Sequence, residues 1–416
     1  MDLLHKCVLV LLLVLSVTTS TYSQTQFDFT KAVNRSQHDQ FLKDSLITGS
    51  LKVPLSTATE KEWQKAFWAM ELMLYKSKET SLKLSEAWRM ANQLSEGFQK
   101  SLLEVSYTID PGTFIRPATQ LLHNTLSPAV FIRAAEYIWL TDKTQSTKRM
   151  IHRLMRQKFK DANFIGFNLL QKRLNEPVQQ RPSLKALFDS SFLPGQTIIY
   201  SLQRSNRDYP GLVLIRKPNG QFARNSDGSF FHTSQLARSV TNYPFYITNG
   251  NTPQGLFRWA AFDSSTNNYI GPTTTLQLLM PYESTPTVFL PNNSTSEKMW
   301  TEEIYANLLP ASWRSYNGLY ESFWAGAIGR SEIIMHGTTI NPIYYKEKKY
   351  FPQTPSLGCL CSYEAWDKNG RLTNSHQEQI VTALKTIGSL NGYVVVVNLD
   401  DKNKAVELNE VMHLLR

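Results

Sequence analysis

Residues Ile333 to Tyr363 read IIMHGTTINPIYYKEKKYFPQTPSLGCLCSY, and the rest of the chain is organised around them. A hydrophobic, strand-like run ends in His336-Gly337-Thr338. A polar loop containing prolines follows, and the tight sequence Pro355-Ser356-Leu357-Gly358-Cys359-Leu360 closes it. His336 and Cys359 lie 359 − 336 = 23 residues apart, which does not suit one helix face and does suit a loop returning to its origin. A thiol is a weak nucleophile until a neighbouring imidazole takes its proton and leaves a thiolate–imidazolium pair. Gly358, with no Cβ, lets backbone N–H groups crowd the sulfur as an oxyanion hole requires. Cys359 and His336 are therefore the candidate catalytic pair. The plain alternative is a small buried thiol and an ordinary histidine.

Upstream, from Gln196, the texture is β. Thr197 to Leu202 and Gly211 to Arg216 are short strand-like runs, and Pro218-Asn219-Gly220 reads as a hairpin turn. Tyr246 to Phe257, YITNGNTPQGLF, reads as a strand, a Pro/Gly turn and a second strand. Taken in order, Thr252-Pro253-x-Gly255-x-Phe257, His336-Gly337-Thr338 and Ser356-x-Gly358-Cys359 resemble the signature of the L,D-transpeptidase (YkuD-type) catalytic domain. The resemblance covers residues 196 to 400 and does not reach the first half of the chain. Two positions depart from it: Leu357 stands where the family usually has a second His, and Cys361 where many members have Arg.

The resemblance implies an exported bacterial cell-wall enzyme with a mainly-β catalytic domain and no metal or organic cofactor. His336 would deprotonate Cys359, and the thiolate would attack the L-centre to D-Ala bond of a peptidoglycan stem tetrapeptide. D-Ala would leave, and an amine of a neighbouring stem would take the acyl group. Backbone N–H groups of Leu357, Gly358 and Cys359 would hold the oxyanion. The Gly337 carbonyl would orient His336, and Ser356 would brace the thiol loop. Thr338, Tyr320 and Trp324 are the candidate substrate-binding residues, with core packing as the alternative for Trp324. Tyr282 to Tyr320, rich in Pro and aromatic residues, reads as an insertion or lid over the site. Water as the acceptor would make the protein an L,D-carboxypeptidase. A silent site would make it a wall-binding protein, and a third possibility is an adaptor working through its first half.

The first half reads as helical from residue 24 to 190, ahead of the β region at 191 to 416, giving an α+β fold of more than one domain. Trp63, Phe67, Met70, Met73 and Leu74 recur at helical spacing, as do Leu84, Ala87, Met90, Leu94 and Phe98. Phe114-Ile115-Arg116-Pro117-Ala118 and Phe131-Ile132-Arg133-Ala134-Ala135 echo one another, which leaves room for repeat-like packing. Trp63, Trp68, Trp88 and Trp139 are expected in the core. Asn374 to Ile387 reads as a helix, Tyr393 to Val397 as a buried strand and the charged tail from Asp400 as peripheral.

Composition sets the remaining bounds. The 416 residues are 42% hydrophobic and 19% charged, which describes a globular chain. The net charge of +10 comes with no run of five basic residues and no nucleic-acid motif, so a generally basic surface is expected rather than a nucleic-acid partner. Residues 1 to 23 read as a signal peptide, with an apolar run from Val8 to Leu15 and small residues before Gln24. That implies a periplasmic or secreted protein without a membrane segment after cleavage. Only Cys359 and Cys361 then remain, so a disulfide scaffold is excluded, while a local pair between these two is open. Asn34, Asn292 and Asn293 head Asn-x-Ser/Thr triplets, which matter only in a eukaryotic secretory protein.

Overall fold

The computed structural model describes residues 28 to 415 apart from 161, 176, 178 and 292 to 294, so the signal-peptide reading and the triplets at Asn292 and Asn293 lie outside the described residues. The helical half is built from α1 (Ala32–Phe41), α2 (Glu60–Met73), α3 (Lys78–Met90), α4 (Glu96–Ile109), α5 (Ile115–Asn124), α6 (Pro128–Thr141), α7 (Gln145–Lys158) and α8 (Ile165–Asn175). The periodic run from Leu84 to Phe98 is divided between α3 and α4. Ser95 caps α4 by accepting from Phe98 N, and its own N–H is held by the Glu60 carboxylate at 2.8 Å, so the chain turns there. The echo does not mark a structural repeat, because Phe114 is the N-cap of α5 whereas Phe131 lies inside α6.

The β region closes into an eight-stranded barrel. Its strands are β1 (Ile198–Gln203), β2 (Gly211–Arg216), β3 (Thr233–Leu236), β4 (Gly255–Asp263), β5 (Thr275–Leu279), β6 (Ile334–His336) and β7 (Leu360–Ser362), followed, after the small hairpin β8 (Glu364–Trp366) and β9 (Leu372–Ser375), by β10 (Gly392–Asn398). The order around the barrel is β1-β10-β4-β5-β6-β7-β3-β2, with β1 parallel to β10 and β6 parallel to β7. The continuous apolar runs are explained by burial on both faces. Ile199, Val213, Phe257, Trp259, Met335, Leu360, Val394 and Val396 form one cluster inside the barrel. Alternate residues Ile198, Tyr200, Leu202, Tyr393, Val395 and Val397 face the opposite way and are covered by short helical segments. Helix α10 (His376–Thr386), numbered after α9 (Glu321–Ala327), lays Ile380, Val381 and Leu384 against the inner cluster.

Three expectations are corrected here. Tyr246 to Thr248 is not a strand. It belongs to the connection between β3 and β4, and Tyr243, Tyr246 and Ile247 plug into the core of the helical half. Residues 282 to 320 are not a lid, since Phe289, Trp300, Tyr305 and Trp313 pack on the outer face of the barrel around Tyr393. The tail is not peripheral either. Arg204, fully buried, binds Asp400 at 2.6 Å and Glu410 at 2.5 Å, and Val406, Val411 and Leu415 are buried with it.

The helical half and the barrel share one packed interface. Tyr107 stacks on Tyr243 with ring centroids 3.9 Å apart, and Glu136 takes bonds from both Tyr246 and Arg173. Tyr345 donates to the Leu72 carbonyl at 2.6 Å, and Asn341 reaches Asp39 at 2.8 Å. The Tyr345 bond ties the end of α2 to the loop between β6 and β7.

Candidate active site

Met335 points into the barrel, so the next residue, His336, points out. In the parallel β6–β7 pairing, His336 lies opposite Cys361, two residues beyond Cys359. The 22-residue loop between His336 and Cys359 therefore does return to its origin, and both side chains line one cavity of about 700 Å³.

The His336 turn is clamped from behind. Nδ1 donates to the Gly337 carbonyl at 2.5 Å, which leaves Nε2 as the proton acceptor. A Cβ on Gly337 would stand 2.1 Å from Glu364 Cδ, so only glycine lets the carboxyl sit under the turn. Glu364 accepts from Thr338 N at 2.9 Å and from Ser375 Oγ at 2.7 Å, and Trp366 Nε1 donates to the Thr338 carbonyl at 3.0 Å.

The thiol loop is braced as tightly. Ser356 Oγ donates to the Cys359 carbonyl at 2.8 Å and accepts from Gly358 N at 3.1 Å, while Thr252 Oγ1 donates to the Gly358 carbonyl at 2.9 Å. Gly358 has φ +121°, and an added Cβ would meet Arg330 Nη2 at 2.4 Å and the Gly250 carbonyl at 2.8 Å. Because the Gly358 N–H is committed to Ser356, the expected set of three oxyanion donors shrinks to those of Leu357 and Cys359. Cys359 Sγ sits 3.5 Å from Ile334 N and 3.6 Å from the Glu332 carbonyl, which a left-handed φ of +60° at Glu332 turns towards it. Among the described residues, Cys359 and Cys361 are both free thiols in this structure.

Burial dominates the electrostatics. It pushes His336 down to about 4, against a smaller opposing effect of the Gly337 carbonyl. It also pushes the Cys359 thiol up, opposed by Ile334 N–H and by the Arg330 guanidinium. Both shifts favour a neutral thiol beside a neutral imidazole at rest, so the thiolate–imidazolium pair forms only as His336 takes the proton. Cys361, buried beside Thr354 and pushed up to about 12, stays a thiol.

The remaining expected site residues divide. Ser356 and Leu357 line the cavity, Leu357 as an exposed apolar side chain. Thr338 is buried in the clamp, where it accepts from Thr354 Oγ1 at 3.0 Å. Tyr320 and Trp324 are not at the site. Tyr320 donates to the Arg314 carbonyl at 2.7 Å, and Trp324 packs against the core of the helical half and the outer barrel cluster, with the Lys172 ammonium 5.5 Å from its ring centre.

Other residues lining the cavity were not anticipated. Arg330 is held by the carbonyls of Gly250 and Asn251, each at 3.0 Å, and burial brings its guanidinium down to about 10. It approaches the thiol from the segment before β6, placing a cation near the sulfur although position 361 carries none. Trp68, expected in the core, is 37% exposed and faces the cavity with Glu71, both from α2, and Tyr269 lies beside Trp68. A lone Arg four residues before the start of β6 is the only sequence signal for Arg330, and α2 carries none.

Among the described residues, no cluster of three or more His, Cys, Asp or Glu is placed to hold a metal ion, and no helix is long and apolar enough to cross a membrane. No protein-family model, no curated protein and no solved structure matches the chain.

Glu364 gives the site a measurable pH signature. It is 5% exposed, and burial raises its carboxyl from 4.5 to about 7 against the bonds from Ser375 and Thr338. A raised folded-state value contributes stability that is full below 4.5 and lost as pH rises through 7. Relative to Glu364→Gln, the wild-type protein is therefore expected to lose about 3 kcal/mol between pH 4.5 and 8. Urea unfolding of both proteins at the two pH values measures this, and parallel changes would show that Glu364 titrates normally.

Proposed function

We propose that the chain is a cysteine acyltransferase of the L,D-transpeptidase kind, acting on peptidoglycan stem peptides outside the cytoplasm, with the barrel as its catalytic domain. The observation that carries this reading is that Cys359, just before β7, and His336, at the end of the β6 strand paired with it, line one cavity, with the imidazole Nδ1 already satisfied by Gly337. The motif resemblance supplies the substrate class, and the geometry is consistent with the roles it implies.

His336 Nε2 takes the thiol proton as the sulfur attacks the carbonyl of the L-centre to D-Ala bond. Transfer during attack suits a pair that rests uncharged, and the Arg330 guanidinium favours the developing thiolate. The N–H groups of Leu357 and Cys359 receive the oxyanion; loss of one such donor in comparable sites costs about 3–4 kcal/mol of transition-state stabilisation. The C–N bond breaks, the leaving D-Ala amine takes the proton from His336, and a thioester remains on Cys359. A second amine then attacks the thioester, passes its proton to His336 and releases the thiol with a new amide bond.

Incubating the reduced protein with disaccharide-tetrapeptide tests the reading. Free D-Ala together with a cross-linked dimer is the expected result. D-Ala without dimer would make water the acceptor and the protein an L,D-carboxypeptidase. Neither product would leave a binding protein.

A further inference from the structure

The cavity has two unlike walls. The barrel wall carries the thiol, the imidazole and the Arg330 guanidinium, whereas the opposite wall comes from α2 and presents Trp68, Glu71 and Leu72. These three are spaced i, i+3, i+4 and so share one helix face. Glu71 is out of balance there. Its Oε1 is closed off from solvent and takes part in no hydrogen bond. Among the described residues no Lys or Arg pairs with it, and the nearby carboxylate Glu104 is already bound by Arg133 at 2.8 Å. A carboxyl oxygen buried without a partner is costly, and here it belongs to a half-buried residue at the cavity wall.

Its neighbours are of a kind that receives a cation. Trp68 and Tyr269 meet edge to face with ring centroids 5.8 Å apart, and Tyr269 is fixed by a 2.8 Å bond between its hydroxyl and His38 Nε2. Aromatic faces beside a carboxylate attract ammonium groups through the ring quadrupole. The other acid of the lining, Glu332, has an exposed side chain and already enjoys water.

We propose that Glu71, flanked by Trp68 and Tyr269, is a subsite for a primary ammonium group of the ligand that reacts at Cys359. Resting on the acyl-transfer reading, that group is the side-chain amine of a stem peptide, belonging to the donor or to the acceptor. The helical half then selects the substrate, and the barrel performs the chemistry. Burial and the Glu104 carboxylate raise Glu71 well above the usual carboxyl range, and an ammonium group beside it would oppose that rise.

The test separates recognition from reaction. Calorimetry on the Cys359→Ala protein compares disaccharide-tetrapeptide with a free side-chain amine against the same compound with that amine acetylated. The free amine is expected to bind about tenfold tighter or better, the range of a charge-assisted bond. Adding Glu71→Gln is expected to erase the preference, Glu71→Asp to keep part of it and Glu332→Gln to leave it intact. No preference in the parent, the same preference with Glu71→Gln, or a preference that disappears with Glu332→Gln overturns the subsite. With the active protein, an effect of Glu71→Gln on D-Ala release assigns the amine to the donor, and an effect on the dimer-to-hydrolysis ratio assigns it to the acceptor. The binding comparison needs no chemistry, so an absence of D-Ala release sinks the acyl-transfer reading while the amine preference judges the subsite by itself.

Discussion

Replacing Cys359 by Ala is expected to reduce D-Ala release by about 10⁴-fold or more, because no other thiol lines the cavity to form the thioester. Folding should be little affected, since the thiol contributes only long contacts to Ile334 N and the Glu332 carbonyl. Cys361 is the internal control. It lies opposite His336 in the strand register but is 1% exposed, and burial pushes its thiol up to about 12. Cys361→Ala is expected to keep activity and to cost about 1–2 kcal/mol of stability for the packing and the weak Thr354 contact that it removes. Thermal unfolding and D-Ala assays on the two variants check the contrast. Equal loss of activity in both would mean that the wrong sulfur, or neither, is the nucleophile.

The second large effect concerns His336. Its replacement by Ala is expected to lower kcat/KM by about 10²- to 10⁴-fold, the range for a positioned general base. The pH profile distinguishes its role from that of a merely structural histidine. The imidazole, pushed down to about 4, loses its acceptor nitrogen only as pH falls through that value, so kcat/KM should hold from pH 7 down to about 5 and drop towards 4. The thiol, pushed up by burial, should be alkylated slowly by iodoacetamide at pH 7, with the rate climbing only beyond the ordinary thiol range. A preformed thiolate–imidazolium pair would instead alkylate fast already at pH 6 and lose kcat/KM on the alkaline side, as the imidazolium gives up its proton. Alkylation rates and kcat/KM across pH 4 to 10 decide between the two states of the pair.

What the sequence made legible is tied to how local the cause is. The Cys359 loop announces itself because Gly358, Ser356 and the sulfur act within four residues of one another, and the structure keeps that arrangement through the Ser356 and Thr252 bonds. The strands at Ile198 and Gly392 were visible as apolar runs because both faces are buried. Less could be read wherever the decisive partner is distant in sequence. Gly337 reads as a turn residue, yet it is a glycine because Glu364 lies under it. Tyr282 to Tyr320 has the composition of a lid and becomes a cover for the far side of the barrel, because its aromatic residues find Tyr393 there. Tyr246 reads as a strand residue, whereas its hydroxyl reaches Glu136 across the interface. Trp68 and Glu71 sit on a helix that looks ordinary until Tyr345 ties it over the thiol.

The most direct measurement is the intact mass of the reduced protein, taken within seconds of mixing with disaccharide-tetrapeptide and followed by mapping of the modified peptide. The expected result is a mass increase equal to the tetrapeptide donor minus D-Ala, located on Cys359 and absent from Cys359→Ala. An unmodified protein, or an adduct on Cys361 instead, would contradict covalent acyl transfer by Cys359.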